Sequence, residues 1–117
     1  MKSENKNDNL NLQFIIDEYT LARGEPQFLK MYCSSCNQLI MIYQKDGPGP
    51  LKRCYFDRIH YPETLKNLDK DDKLKNTDKL ICQKCKSLIG EKIIYQKENR
   101  LAFHLNQETF YLTEVNE

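Results

Sequence analysis

Two C-x-x-C pairs, Cys33 with Cys36 and Cys82 with Cys85, constrain the fold of this chain more than any other feature. Zn²⁺ prefers four ligands, and four thiolates at about 2.3 Å complete its tetrahedron and leave no open position. Each C-x-x-C turn brings two sulfurs to one ion, so two turns supply the whole set. We therefore predict one structural Zn²⁺ held by all four cysteines. Iron with the same ligands, a redox pair and disulfides are the alternatives.

The redox state of these cysteines depends on where the chain resides. No apolar segment of the secretory type follows Met1, and no apolar run is long enough to cross a bilayer. We expect a cytoplasmic protein without membrane contact, in a reducing environment where disulfides are rare. A thioredoxin-like redox role would place one C-x-x-C pair near a βαβ pattern, which this sequence lacks.

Length and charge limit the remaining possibilities. A chain of 117 residues favours a single domain with a modest core. Its 18 Lys and Arg residues nearly balance its 17 Asp and Glu residues, which gives no general argument for binding nucleic acid or membranes. The polar residues 1–9 predict a disordered tail. Residues 10–117 are predicted to form one zinc-binding β domain, because bound metal adds to the folding free energy of a small core.

Short apolar runs rich in β-forming residues predict a mainly β fold, with two small antiparallel sheets pinned by one Cys₄ zinc site. The predicted strands are residues 10–16, 28–32, 39–43, 51–56, 93–95, 101–103 and 110–112. A short helix is the alternative for residues 17–22. Two prolines and two glycines in residues 46–50 exclude regular structure there, so the third and fourth strands should form a hairpin around this segment, called the Gly/Pro loop.

Charged residues mark the segments around the second C-x-x-C turn. Residues 61–79 form a long polar connection between the two turns, predicted to be exposed with one helical turn near residues 65–68. Residues 82–100 carry an excess of bases, and residues 101–117 carry an excess of acids. These two stretches either neutralise each other as neighbouring strands or form solvated faces.

The two C-x-x-C turns, called knuckles, are followed by similar sequences. Both continue as Cys-x-x-Cys-x-x-Leu-Ile, and the tetrapeptide Ile-Tyr-Gln-Lys recurs after each, with three more residues in the second copy. We infer two similar units of knuckle and strand that face each other across the metal. Backbone N–H groups in each knuckle are expected to donate hydrogen bonds to the thiolates.

The knuckles, their wide separation and the run 88–90 leading to residues 99–103 resemble the β-tent family of zinc proteins. That family includes Yippee proteins, the ligand-binding domain of cereblon and type B methionine sulfoxide reductases. The resemblance covers roughly residues 32–105. It implies two antiparallel sheets pinned at one zinc ion by Cys33, Cys36, Cys82 and Cys85.

The resemblance does not extend to the chemistry of those relatives. Two positions before Asn99, where the reductases carry their catalytic cysteine, this chain has Lys97. The reductase histidines fall at Leu88 and Glu91. A lysine cannot attack a sulfoxide as a thiolate does. The chain has no tryptophan, so the aromatic cage of cereblon is also excluded.

These observations favour a non-enzymatic zinc-binding module that recognises a protein or a small ligand, although they do not exclude an enzyme. The candidate surface is the Gly/Pro loop with Lys52, Arg53, Tyr55 and Arg58. Cations interleaved with aromatic residues also suit single-stranded nucleic acid, so a nucleic-acid-binding protein of the zinc-ribbon type is the first alternative.

The second alternative is a divergent thiol-dependent enzyme that uses Cys54, the fifth cysteine, as its nucleophile. Neighbouring Lys52 and Arg53 would lower the pKa of its thiol, whereas a place in an apolar strand would make it a small buried side chain. His60 and His104 lie outside any ligand spacing. We expect both histidines to be surface or structural residues.

Overall fold

The computed structural model describes residues 12–66, 68 and 77–115, and the strands in them form two antiparallel sheets. The strands are β1 Pro26–Cys33, β2 Leu39–Asp46, β3 Arg53–Tyr55, β4 Ile59–Tyr61, β5 Lys79–Ile81, β6 Leu88–Tyr95, β7 Arg100–Leu105 and β8 Phe110–Glu114. The first sheet has the order β4-β2-β1-β8 and the second the order β3-β7-β6-β5. The predicted fold class, mainly β with two small antiparallel sheets, is therefore confirmed.

Short helices complete the described fold. They are α1 Glu18–Arg23, α2 Glu63–Lys66 and two 3-10 helices, Phe56–Arg58 and Gln107–Thr109. One core contains side chains from both sheets, including Met31, Met41, Ile89 and Phe103, which expose no surface. Burying a side chain of this size stabilises the fold by roughly 1.5–3 kcal/mol. The two sheets are therefore held together by shared apolar packing as well as at the knuckles.

Each knuckle is the turn of an antiparallel hairpin. The first joins β1 to β2 and the second joins β5 to β6. In both hairpins the register shifts just before the knuckle, between Met31 and Tyr32 and between Leu80 and Ile81. An irregularity of this kind bends a strand and redirects its end. The two hairpins belong to different sheets, so the knuckles lie at the point where the sheets meet.

The predicted strand at residues 10–16 is wrong for residues 12–16, which lie outside every strand. The side-chain amide of Gln44 bonds both backbone groups of Ile15, at 2.8 Å each, and takes the place of ladder hydrogen bonds. The helix alternative is correct, because Asp17 and Thr20 form a capping box that starts α1. The earlier part of the predicted strand and the predicted tail, residues 1–11 together, lie outside the described residues.

The predicted hairpin around the Gly/Pro loop is also wrong. β2 belongs to the first sheet, whereas β3 pairs with β7 in the second, and the chain returns to the first sheet at β4. The fourth predicted strand is shortened to Arg53–Tyr55 because the next three residues form a 3-10 helix. The Gly/Pro loop and this helix therefore carry the chain from one sheet to the other and back.

The polar connection is less exposed than its composition predicts. The single turn α2 matches the predicted helical turn, but Leu68 is only 1% exposed and packs in the core. Residues 67 and 69–76 of this connection lie outside the described residues. The prediction that a neighbouring acidic strand neutralises the basic stretch is wrong, because β7, which pairs with β6, contains no acid and the acidic strand β8 pairs with β1 in the other sheet.

Candidate metal centre and adjoining basic pocket

The four predicted cysteine ligands come together at the tips of the two hairpins. Their sulfur atoms all lie within 4.8 Å of one another. Each sulfur of the first hairpin faces one of the second: the Sγ atoms of Cys33 and Cys85 lie 3.6 Å apart, and so do those of Cys36 and Cys82. All four thiols are free of disulfides. The cluster could therefore hold one metal ion.

The two knuckles have the same backbone conformation. Asn37 and Lys86, each directly after the second cysteine of its pair, have positive φ angles of 66° and 69°. The N–H of the first cysteine donates to the carbonyl of Gln38 in one knuckle and of Ser87 in the other, both at 2.9 Å. Residues other than glycine seldom adopt this left-handed backbone conformation. Its recurrence shows that the sequence similarity of the knuckles reflects a common turn.

Hydrogen bonds to sulfur prepare the cluster for a cation. Backbone N–H groups of Gln38 and Ser87 donate to Cys36 and Cys85 respectively, as the sequence predicted. The Ser87 hydroxyl lies 3.1 Å from the Cys85 sulfur. Bonds from the hydroxyl and the backbone of Ser87 lower the pKa of Cys85 to about 6. Cys85 therefore binds a metal without first losing a proton. Cys36 does not, because the Gln38 hydrogen bond is outweighed by burial and the neighbouring thiols, which raise its pKa to about 11.

The fifth cysteine lies outside this cluster. Cys54 is in β3 opposite Phe103, and none of its surface is exposed. Burial raises the pKa of its thiol far above the ordinary value. A thiolate is the reactive form of cysteine, so a buried neutral thiol is inert. The structure thus agrees with Cys54 as a packed side chain.

Neither histidine belongs to the cysteine cluster. His104 is exposed on β7, where it lies opposite Arg53. His60 is half-buried on β4, its ring packs edge-on against Phe28, and its Nε2 lies 3.1 Å from the side-chain oxygen of Gln44. That oxygen is an acceptor, so the contact requires a proton on Nε2. His60 therefore connects β4 to β2 as a structural residue.

We expect protonation of His60 to destabilise the fold in mild acid. Burial, assisted by the positive charges of Lys66 and Arg58, lowers the pKa of His60 to about 4. As the pH falls from about 6.5 towards about 4, the unfolded chain binds a proton that the folded chain resists, so the free energy of unfolding falls. Denaturant unfolding at a series of pH values, with excess zinc, measures this loss.

His60→Gln should reduce this acid sensitivity, because glutamine does not titrate. His104→Gln is the matched control, since His104 is exposed and its removal should leave the wild-type pH dependence unchanged. Any proton-linked loss of metal is common to all three proteins. Equal pH dependence for wild type and His60→Gln would contradict the prediction.

The four predicted partner-binding residues line one pocket of ≈ 170 Å³ beside the Gly/Pro loop. Lys52 is exposed and Arg53 half-buried, but Tyr55 is 6% exposed and Arg58 only 1%. The candidate surface is therefore a recess rather than an open strand face. Of these four residues, only Lys52 and Arg53 are accessible at its rim.

Arg58 is buried beside two acids, Asp46, whose side chain is 3% exposed, and Asp17, whose side chain is 36% exposed. Its Nε lies 2.9 Å from Asp46 Oδ2, and its Nη2 lies 2.6 Å from Asp17 Oδ1. The same Nη2 donates to the hydroxyl of Thr20 at 3.2 Å. Arg58 thus ties α1 to the end of β2 and the crossover through Nε and Nη2, whereas its buried Nη1 has no hydrogen-bond partner among the described residues.

Tyr55 is enclosed by stacked arginines. The guanidinium of Arg100 lies 3.8 Å from the Tyr55 ring centroid and 4.0 Å from that of Tyr19. Arg23 donates to the Tyr55 hydroxyl at 3.1 Å and to Glu98 at 2.6 Å. Stacking of this kind stabilises partly desolvated cations by about 0.5–2 kcal/mol. Tyr55 therefore supports the back of the pocket and joins it to α1.

Two further cations of the pocket were missed from the sequence, Arg23 and Lys45. Arg23 is the last residue of α1, and nothing in its local sequence points to the Gly/Pro loop. Lys45 ends the first copy of Ile-Tyr-Gln-Lys and is 8% exposed, whereas Lys97 ends the second copy and is exposed. No local signal distinguishes the two lysines, because only the packing around β2 buries the first.

No family model, curated protein or solved structure matches this chain. Within the part of the chain that the structure describes, every helix is too short or too polar to cross a membrane. What the chain does must therefore be inferred from the cysteine cluster and the basic pocket.

Proposed function

We propose that this chain is a non-enzymatic binding module whose fold is stabilised by one structural Zn²⁺ at Cys33, Cys36, Cys82 and Cys85. The spacing of the sulfur atoms carries the proposal. A tetrahedron of sulfurs 2.3 Å from zinc has edges of about 3.8 Å, close to the 3.6 Å between facing sulfurs. The two sulfurs of a disulfide lie only about 2.05 Å from each other.

Four thiolates leave no position for a substrate or an activated water, which assigns the ion a structural role. Two antiparallel sheets with one knuckle each support an architecture of the β-tent type. Free thiols suit a reducing, cytoplasmic environment. The burial of Cys54 argues against the thiol-enzyme alternative.

Recognition is proposed to take place at the basic pocket beside the Gly/Pro loop. The nucleic-acid alternative has less support, because stacking on bases needs accessible aromatic rings. Of the three aromatic residues close to these cations, Tyr55 and Phe56 are 6% and 1% exposed, and Tyr61 alone is accessible, at 38%. A small ligand that enters the recess suits its volume of ≈ 170 Å³ better.

Metal analysis of the purified chain tests the zinc proposal. Wild type and Cys54→Ala should each contain one zinc per chain, since Cys54 lies outside the cluster. Cys82→Ser should contain well below one, because a hydroxyl is a poor replacement for a thiolate ligand. Substitution with Co²⁺ should give the absorption bands of a tetrahedral thiolate complex. Full zinc content in Cys82→Ser would overturn the proposal.

A further inference from the structure

Lys45, the next-to-last residue of β2, is a buried cation without an acidic partner among the described residues. It is 8% exposed, and its ammonium donates to the carbonyl of Gly47. Among the described residues no carboxylate forms an ion pair with it. An ammonium has three donors, and a buried charge is normally paired. Burial accordingly lowers the pKa of Lys45.

The nearest acid in sequence is already engaged. Asp46 accepts hydrogen bonds from Arg58 at 2.9 Å and from the Gln44 amide at 2.8 Å, and its side chain is 3% exposed. Burial lowers the pKa of Lys45, and the negative charge of Asp46 raises it by less. Lys45 therefore keeps a positive charge whose neutralisation within the described structure is incomplete.

This charge faces a pocket that has further unneutralised cations. Lys45, Lys52 and Arg53 all line the recess of ≈ 170 Å³, and none forms an ion pair with a described residue. Arg53 donates from its Nε to the Tyr55 hydroxyl at 3.2 Å, which leaves both terminal nitrogens without a hydrogen bond in the described structure.

The other two arginines of the lining are already neutralised. Arg23 pairs with Glu98, and Arg58 pairs with Asp46. The pocket thus has an excess of positive charge.

The wall of the pocket is fixed in place before any ligand binds. Gly47 has φ +84°, and a Cβ there would collide with the backbone carbonyl of Arg23, so the loop packs directly on the end of α1. The Gly47 N–H donates to the backbone carbonyl of Glu25 at 3.1 Å. At the other end, the Leu51 carbonyl accepts from the Gln107 side chain at 3.1 Å. A pre-organised wall lowers the entropic cost of binding.

We propose that this pocket binds the oxyanion group, phosphate or carboxylate, of a small molecule, with Lys45 at its base and Lys52 and Arg53 at its rim. Ammonium and guanidinium groups form the strongest hydrogen bonds to such anions. A cavity of about 150 Å³ holds a molecule the size of benzene, so the pocket fits a compact ligand or the anionic end of a larger one. The inference deepens the proposed function and rests on it, since it names the ligand class of the same recess.

Titration of the zinc-loaded full chain with inorganic phosphate, and separately with acetate, tests this inference by two-dimensional amide NMR. Low ionic strength limits screening, and sodium chloride at matched ionic strength gives the baseline. Saturable shifts at Lys45, Gly47 and Arg53 with either anion, but not with chloride, support the site. The anion that binds more tightly identifies the class of oxyanion.

Lys45→Met should weaken this binding by about tenfold or more, because it removes a charged hydrogen-bond donor and leaves the aliphatic packing. Lys97→Met is the control, since it removes the same charge from an exposed position at the end of the second Ile-Tyr-Gln-Lys copy. Zinc content measured on each sample keeps a failure of the metal site apart from a failure of the pocket. Shifts that do not saturate, or equal binding by Lys45→Met, in protein with one zinc per chain would overturn the inference.

Discussion

Removal of the metal from the four-cysteine cluster is expected to unfold the chain. The apparent binding free energy of a structural zinc ion is about 10–16 kcal/mol at neutral pH. The total stability of an ordinary domain is about 5–15 kcal/mol, so loss of the ion can remove all of it. The ion would join two hairpins of different sheets, and without it the knuckles are linked mainly by thiol contacts.

Circular dichroism and amide NMR during titration with a zinc chelator measure this effect. We expect loss of tertiary structure in step with loss of zinc, and recovery when zinc is added back. Cys82→Ser should be unfolded or strongly destabilised without chelator. Cys54→Ala removes a buried cysteine of the same type outside the cluster and should lose only about 1–2 kcal/mol. A metal-free chain with the native NMR spectrum would contradict the prediction.

Arg58→Met is expected to cost about 3–5 kcal/mol, the usual effect of removing one member of a buried ion pair. The substitution keeps much of the side-chain volume but leaves the Asp46 carboxylate, whose side chain is 3% exposed, without its cation. It also removes the contacts of Arg58 with Asp17 and Thr20 at the start of α1. Denaturant unfolding of the zinc-loaded protein measures the change.

Two other variants separate charge from geometry. Arg58→Lys keeps the charge but loses the forked donor that reaches two acids at once, so it should recover only part of the stability. Arg53→Met removes an arginine that is half-buried and stacked on Tyr95 at 4.1 Å, and should cost less than about 1 kcal/mol. If Arg58→Met is no less stable than Arg53→Met, the buried network is not the main contribution of Arg58.

The features that the sequence predicted correctly depend on local chemistry. The C-x-x-C spacing limits the knuckles to tight turns with two sulfurs, and this limit holds whatever surrounds them. The strands β1, β2, β6, β7 and β8 contain dense runs of β-forming residues and were each predicted at least in part. Their local preference agrees with their final environment.

The features that were missed depend on long-range contacts. Residues 12–16 alternate as a strand does, but the Gln44 side chain occupies the backbone groups of Ile15. Leu68 lies in a polar segment, yet the core accepts it. Lys45 and Lys97 follow identical tripeptides and have opposite exposure. Which sheet receives β3 is decided by its partner β7, distant in sequence, and no local pattern encodes that choice.

The strand order has a consequence for how the chain can be divided. Each half of the chain supplies three strands to its own sheet and one strand to the other, since β3 lies beside β7 and β8 lies beside β1. The halves are thus interleaved, although each has its own knuckle. A fragment that ends before β5 would lack the neighbour of β3 and one neighbour of β1. Separately expressed halves should therefore acquire their fold only by associating with each other.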